Sequence, residues 1–119
     1  MTEQLIDAKQ LTEVAIEGLL EKKGQQIIRM NLKGVDGAVT DFFVICTGTS
    51  DRHVQSLAES VLDEMAKSGE KPISKEGIQL GEWVLLDYVN VVVHIFQEKT
   101  REFYRLEALW GDAEKEEIQ

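Results

Sequence analysis

The apolar pattern changes its period midway along the chain. An unbroken apolar run, Phe42–Cys46, is typical of a strand buried on both faces. After a turn of small residues, apolar side chains recur over Val54–Met65 at the spacing of one helix face. Ser50 or Thr49 is placed to cap this helix, and the negative charge of Asp51 is favourable in its first turn. The stretch therefore predicts a strand followed directly by a capped helix.

The other segments carry helical or alternating patterns of their own. Helices are predicted at 5–20, 51–67 and 97–109 and strands at 26–32, 41–46, 82–87 and 91–96, with a short edge-lying extended segment opened by Pro72 and Ile73. The order α-β-β-α-β-β-β-α indicates a mixed α/β (α+β) class, with helices packed on a five-stranded mixed sheet. We expect one domain over 1–111 and a frayed acidic tail over 112–119.

Two apolar runs a few residues apart, 82–87 and 91–96, predict an antiparallel hairpin. Their connection, Tyr88-Val89-Asn90, contains no glycine. Asparagine tolerates a positive φ angle better than a β-branched residue does, so Asn90 is the expected site of such an angle.

The apolar residues of the last helix cannot all face inward. Phe103, Leu106 and Trp110 share one face, and we expect the first two to be buried together with Leu109 or Trp110. Tyr104 points elsewhere. It is either a single exposed tyrosine or part of a second contact patch or homodimer surface beside the hairpin, and no heptad pattern indicates a dimer.

The formal net charge of −9 is the strongest compositional clue. Nucleic-acid binding relies on lysine and arginine displacing counterions, and no basic stripe with interleaved aromatic residues is present. Little direct RNA or DNA binding is therefore expected. A basic protein partner suits this charge, because opposite potentials speed encounter, although acidity for solubility alone is an equal alternative.

Composition also limits the compartment and the cofactors. The chain has no run near the ~18 apolar residues of a membrane helix, and its first residues lack a basic region followed by an apolar block. A single cysteine fits a reducing compartment. We therefore expect a cytoplasmic protein without a signal peptide. Two histidines and one cysteine offer no metal-ligand spacing, so neither a metal nor a cofactor is expected.

Two enzymatic interpretations have weak support in the residues. The Thr47-Gly48-Thr49-Ser50 turn before a helix suggests an anion site, but it has neither the phosphate-loop nor the dinucleotide-binding spacing. Cys46 and His94 could form a nucleophile–base dyad, yet cysteine in an apolar strand is more often buried and inert. A capped helix and a hydrogen-bonded core histidine are the simpler interpretations.

Three strings together resemble a known family. DFFVICTGTSDRHVQSLAESV, GEWVLLDYVNVVVHIF and REFYRLEALW closely resemble the Iojap family, also called the ribosomal silencing factor S family. The match is strong over 41–110 and looser over the first helix and strand. This chain has Val89 and Asn90 where the family usually has glycine and aspartate at the hairpin turn.

The resemblance implies a non-enzymatic role and a fold similar to nucleotidyltransferases. It implies binding to the large ribosomal subunit through its fourteenth ribosomal protein, which is basic. Occupying that surface would block joining of the small subunit and repress translation. Mitochondrial and plastid relatives are linked to large-subunit assembly, which is the alternative function. A nucleotide-dependent transferase is a third and less favoured alternative.

The resemblance also implies that Trp83 lies on the ribosome-binding surface. Tryptophan is enriched at interface hot spots, and Leu85 and Asp87 follow it on the same strand face. Asp87 would pair with a basic residue of the partner. The alternatives are a core tryptophan and a turn aspartate. Further contact residues are expected at Glu76, Glu82, Tyr88 and Tyr104.

Overall fold

The computed structural model describes residues 7–118 and confirms the mixed α/β class. The helices are α1 (Ala8–Glu21), α2 (Asp51–Lys67), α3 (Glu98–Tyr104) and α4 (Leu106–Leu109). The strands are β1 (Gln25–Asn31), β2 (Phe42–Gly48), β3 (Ser74–Glu76), β4 (Trp83–Asp87), β5 (Val91–Gln97) and β6 (Glu114–Glu117).

The strands form a single sheet in the order β3-β4-β5-β2-β1-β6. The central pair, β2 and β5, is parallel, and every other neighbouring pair is antiparallel. The predicted hairpin of β4 and β5 and the short edge segment β3 are both present. The sheet has six strands rather than the expected five.

The sixth strand comes from the acidic end of the chain, so the prediction that residues 112–119 fray is wrong for this segment. β6 pairs with the outer edge of β1. Arg29 of β1 forms an ion pair with Glu116, and the Ile118 amide donates to the Ile27 carbonyl at 2.9 Å. A polar sequence forms a strand here because β1 supplies its hydrogen-bond partners and a cation.

Helices α1 and α2 pack side by side and cover one face of the sheet. Gly18 permits their close approach, because a Cβ at this position would lie 3.0 Å from the Ser60 carbonyl oxygen. The Ser60 hydroxyl also donates to the Gly18 carbonyl at 2.7 Å. Beneath the helices, side chains such as Val44 and Leu57 are fully buried in a first core. This face of the sheet is therefore covered.

The opposite face, which we call the open face, is covered only in part by α3 and α4. The single helix predicted over 97–109 is interrupted at Arg105, which adopts a left-handed φ of 48°. Leu106 is buried in a second core on this face, as expected. Phe103 is 79% exposed, so the prediction that it is buried is wrong. Of the two alternatives Leu109 and Trp110, Trp110 packs on the second core, whereas Leu109 is 71% exposed.

Arg101, and not Phe103, is the residue of α3 that faces the sheet. Its guanidinium donates to the Gln26 carbonyl and to the Thr47 hydroxyl, both at 2.7 Å, and pairs with Glu107 at 2.9 Å. These bonds fix the rotation of the short helix about its axis, which turns Phe103 towards solvent.

The hairpin turn places its positive φ angle at Val89 (75°), and the expectation for Asn90 is wrong. The Asn90 amide donates to the Tyr88 carbonyl at 2.9 Å, which closes a three-residue turn around Val89. The Asp87 carboxylate accepts from the Val89 amide at 2.8 Å, and the Thr40 hydroxyl donates to the Val89 carbonyl at 2.9 Å. A β-branched residue is strained at this angle, and these bonds hold it there.

Candidate functional site

Alternation along β4 brings three of the predicted contact residues together on the open face. Trp83, Leu85 and Asp87 are partly exposed, and we call them the Trp83 strip. Val84 and Leu86, between them, are fully buried in the first core. The strip therefore borders the second core without being enclosed by it.

Trp83 is held by three aromatic neighbours. Its indole Nε1–H donates to Nδ1 of His94 at 3.1 Å. Its ring stacks on Phe96 with centroids 5.0 Å apart and lies 4.6 Å from the ring of Tyr104. Trp83 is thus both a core residue and an exposed one, and the part that faces solvent has a fixed orientation.

His94 fixes this orientation only while it is neutral. Because Nδ1 accepts the indole hydrogen bond, the ring proton must reside on Nε2. The side chain is 4% exposed, and this burial lowers the pKa of His94 to about 4. Phe43 packs against the ring edge-to-face, with centroids 4.6 Å apart. Among the described residues, Nε2 has no hydrogen-bond partner. The expected hydrogen-bonded core histidine is confirmed.

Carboxylates border the strip. Glu76 is opposite Leu85 in the β3–β4 register, so both side chains lie on the open face, and Glu82 is exposed beside Trp83. Asp87 also has the turn role that was its alternative, since it accepts the Val89 amide. The apolar strip is therefore flanked by negative charge.

Tyr88 does not belong to this surface, and the prediction that it does is wrong. Strand alternation turns it to the helix-covered side, where it is 6% exposed in the first core. Burial raises the pKa of Tyr88 to about 12. Tyr104, by contrast, is 49% exposed beside Trp83, at the position of the predicted second patch.

The turn before α2 uses its own backbone amides. The Ser50 hydroxyl caps the helix by accepting from the His53 amide at 3.0 Å, and Asp51 accepts from the Arg52 amide at 2.7 Å. The Thr49 amide donates to Nδ1 of His53 at 2.9 Å. These side chains occupy the donors that an anion would need, so the capped-helix interpretation is the one that the structure supports.

Cys46 and His94 lie on opposite faces of the sheet and form no dyad. Cys46 is fully buried in the first core, and burial raises its pKa to about 12. Over residues 7–118, no group of three or more histidine, cysteine, aspartate or glutamate side chains is arranged to hold a metal ion. No helix in the described part of the chain is long and apolar enough to cross a membrane.

Two exposed apolar residues near Trp83 were missed by the sequence analysis. Leu80 is 72% exposed in the loop before β4, and Phe103 is 79% exposed on α3. Leu80 is the kind of isolated apolar loop residue that carries no periodic signal. Phe103 had a signal, but its helical spacing favoured the core.

The fold and the site define an α/β domain that presents a rigid apolar strip, bordered by carboxylates, on the open face of its sheet. Such a surface is suited to contact with another protein. Residues 5–119 match the family model described as "Ribosomal silencing factor during starvation". The chain belongs to this family, which confirms the resemblance seen in the sequence. The family is named for a regulatory role.

Individual relatives agree with this assignment. The ribosomal silencing factor RsfS of Halalkalibacterium halodurans is 36% identical over 111 residues, which cover 93% of this chain and 94% of that protein. A crystal structure of a protein from Chromobacterium violaceum superposes with a TM-score of 0.84 at 35% identity, over 88% of this chain and 87% of that one. A mouse protein named for mitochondrial assembly of the ribosomal large subunit is 36% identical over 60% of this chain and 32% of its own length.

Proposed function

We propose that this chain represses translation in the cytoplasm. It binds the large ribosomal subunit through the fourteenth ribosomal protein and thereby blocks joining of the small subunit. The observation that supports this proposal most is the Trp83 strip. A partly exposed tryptophan, held in place by a hydrogen bond and two ring contacts, has little conformational freedom left to lose on binding.

Charge favours a basic partner for this surface. Glu76 and Glu82 border the strip, Asp87 forms one end of it, and the whole chain carries −9. Carboxylates at the rim of an interface accelerate encounter with a basic protein and disfavour direct contact with phosphates. The contacted subunit component should therefore be a basic protein rather than ribosomal RNA.

Sedimentation with purified large subunits, followed by addition of small subunits, tests the proposal directly. The wild-type chain should co-sediment with large subunits and reduce the amount of joined ribosomes. Trp83→Ala should weaken binding by ~2 kcal/mol or more if Trp83 is a hot spot. Leu20→Ala is the matched control, because Leu20 is 46% exposed on α1, away from the open face. Normal binding by a folded Trp83→Ala protein would remove Trp83 from the site.

Asp87→Asn separates the two roles of Asp87. The amide oxygen of asparagine can still accept the Val89 hydrogen bond, while the negative charge is lost. Association with large subunits should slow and its salt dependence should flatten, whereas the unfolding free energy should change little. Unchanged association kinetics would show that this carboxylate does not face a basic partner.

Large-subunit assembly is the second candidate function, and it is favoured by the name of the mouse relative. The same surface could bind the same ribosomal protein on an immature particle. Parallel sedimentation with assembly precursors and mature subunits distinguishes the two. Preference for precursors, without loss of joined ribosomes, would favour assembly over silencing.

A further inference from the structure

A groove lies beside the Trp83 strip, between the 77–82 loop and α3. Its volume is about 530 Å³, and its lining includes Leu80, Trp83, Phe103 and Tyr104. Leu80, Phe103 and Tyr104 are 72%, 79% and 49% exposed. Scattered apolar residues are common on protein surfaces, but apolar side chains gathered on both walls of one groove indicate a binding surface.

The loop that forms one wall is held rigidly. The Gln55 side-chain amide donates to the carbonyls of Ile78 and Gln79 at 3.0 and 2.9 Å, and that of Gln97 donates to the Gly81 carbonyl at 2.9 Å. These three bonds hold the loop on both sides of Leu80, whose apolar side chain is exposed.

Two glycines make the loop conformation possible. Gly77 and Gly81 have φ angles of +83° and +68°. A Cβ on Gly81 would lie 2.6 Å from the Asp51 carbonyl oxygen. Only glycine fits such a close approach at a positive φ, so the observed loop conformation depends on Gly81. The side-chain hydrogen bonds from Gln55 and Gln97 restrain this conformation, which lowers the conformational entropy lost on binding.

The other wall is fixed through aromatic contacts. The ring of Phe103 packs edge-to-face on Tyr104, with centroids 5.0 Å apart, and Tyr104 contacts Trp83 at 4.6 Å. Arg105, with a left-handed φ of 48°, ends α3 directly after Tyr104. Both walls of the groove are therefore formed before any partner arrives.

Area and charge together identify the occupant. A stable interface buries ~800 Å² on each partner, far more than a strip of three residues supplies, so a partner on Trp83 must extend over neighbouring surface. The groove shares Trp83, Tyr104 and Glu82 with the predicted contact surface. The groove lining carries one carboxylate, Glu82, and one ammonium group, Lys99, so the charge argument comes from the whole chain. A second copy would also carry −9 and be repelled, whereas a basic protein would be attracted.

We propose that this groove receives an apolar side chain of the basic ribosomal protein that packs on the Trp83 strip, with Leu80 and Phe103 as contact residues. This inference rests on the proposed function, since it assigns the groove to the same partner. It adds a second binding area, on α3 and the 77–82 loop, to the strip on β4.

The test is sedimentation of the full chain with purified large subunits for Leu80→Ser and Phe103→Ser. Each variant should bind about tenfold more weakly than wild type, as expected for an apolar contact residue. Leu109→Ser is the matched control, because Leu109 is 71% exposed in the next helix but does not line the groove. It should bind within about twofold of wild type. Urea unfolding should confirm that all three variants remain folded.

The outcomes separate this inference from the proposed function. If wild type binds and both groove variants bind equally well, the groove inference is wrong and the proposed function stands. If wild type itself fails to bind, both are wrong. If sedimentation equilibrium shows a wild-type dimer that the groove variants convert to monomer, without weaker subunit binding, the occupant is a second copy and the inference is overturned.

Discussion

Acid should destabilise this protein specifically through His94. In the native state the ring is 4% exposed and its pKa is lowered to about 4 by burial, from an ordinary value of 6.5. The unfolded chain therefore takes up a proton at a higher pH than the native state does. Well above pH 6.5 His94 is neutral in both states, and the penalty is absent.

The size of the effect follows from the width of this window. One pKa unit corresponds to about 1.4 kcal/mol, so a fall from pH 6.5 to pH 4 should cost about 3 kcal/mol of unfolding free energy. In the middle of the window the slope from this residue approaches ~1.4 kcal/mol per pH unit. Total stabilities of small domains are about 5–15 kcal/mol, so the loss is substantial.

Urea unfolding across this pH window measures the effect, with His94→Asn as the comparison. Asparagine does not titrate, and its side-chain oxygen can take the place of the Nδ1 acceptor. The rest of the chain is common to both proteins, so its contribution cancels in the difference. The wild-type unfolding free energy should fall more steeply with acid than that of the variant. Parallel curves would refute the assignment of a buried neutral imidazole.

The hydrogen bond to Trp83 has its own readout. The chain has two tryptophans, so Trp110→Phe assigns the indole N–H resonance of Trp83 in a nitrogen–proton correlation spectrum. His94→Leu removes the acceptor and should move this resonance upfield and speed its exchange with solvent. His94→Asn should largely preserve it. An unmoved resonance in His94→Leu would show that the 3.1 Å contact is not a hydrogen bond in solution.

Three further substitutions test the backbone at Val89 and Gly81 and the hydrogen bonds by which Arg101 joins α3 to the sheet. Val89→Gly should raise the free energy of unfolding by about 1 kcal/mol, because it removes a β-branched side chain held at φ 75°. A lower urea midpoint than that of wild type would contradict strain at this residue. Gly81→Ala should destabilise by at least ~2 kcal/mol, whereas Gly34→Ala, with φ +79° but no atom within 4 Å, should cost only about 1 kcal/mol; equal losses would show that close packing is unimportant. Arg101→Met should lower the free energy of unfolding by about 2–3 kcal/mol, because two acceptors and a partly buried carboxylate lose their donor. A thermal midpoint equal to that of wild type would show that these bonds do not stabilise the fold.

Local pattern was enough to predict most of the fold. The change of period after Phe42–Cys46 located β2 and α2, and the capping preference of serine identified Ser50. Alternation along β4 placed Trp83 and Leu85 on one face. These features depend on neighbours within a few residues, which is why the sequence contains them.

The missed features depend on distant partners. The Glu114–Glu117 strand has no apolar alternation and exists because β1 offers an edge and Arg29 offers a cation. The exposure of Phe103 depends on Arg101, whose acceptors lie on β1 and β2. Neither interaction can be read from local spacing, which is why the predictions of a frayed tail and of a buried Phe103 were wrong.

The wrong assignment of Tyr88 has a different origin. Its neighbour Asp87 faces the open side, and a one-residue step along a strand reverses the direction of the side chain. Tyr88 therefore lies on the face opposite to that of Asp87. The signal was present, since Tyr88 continues the buried series of Val84 and Leu86.

Departures from local rules that border the open face support its proposed role in binding. Val89 is strained at the end of the Trp83 strip, His94 has a buried nitrogen without a partner among the described residues, and Phe103 is exposed where a core residue was expected. Each costs stability, and proteins retain such features mainly at functional sites. The helix-covered face buries its apolar residues almost completely, although the Tyr88 hydroxyl there also has no hydrogen-bond partner among the described residues. The helix-covered face therefore contributes mainly to stability, whereas the open face combines the second core with exposed side chains that the proposed partner would contact.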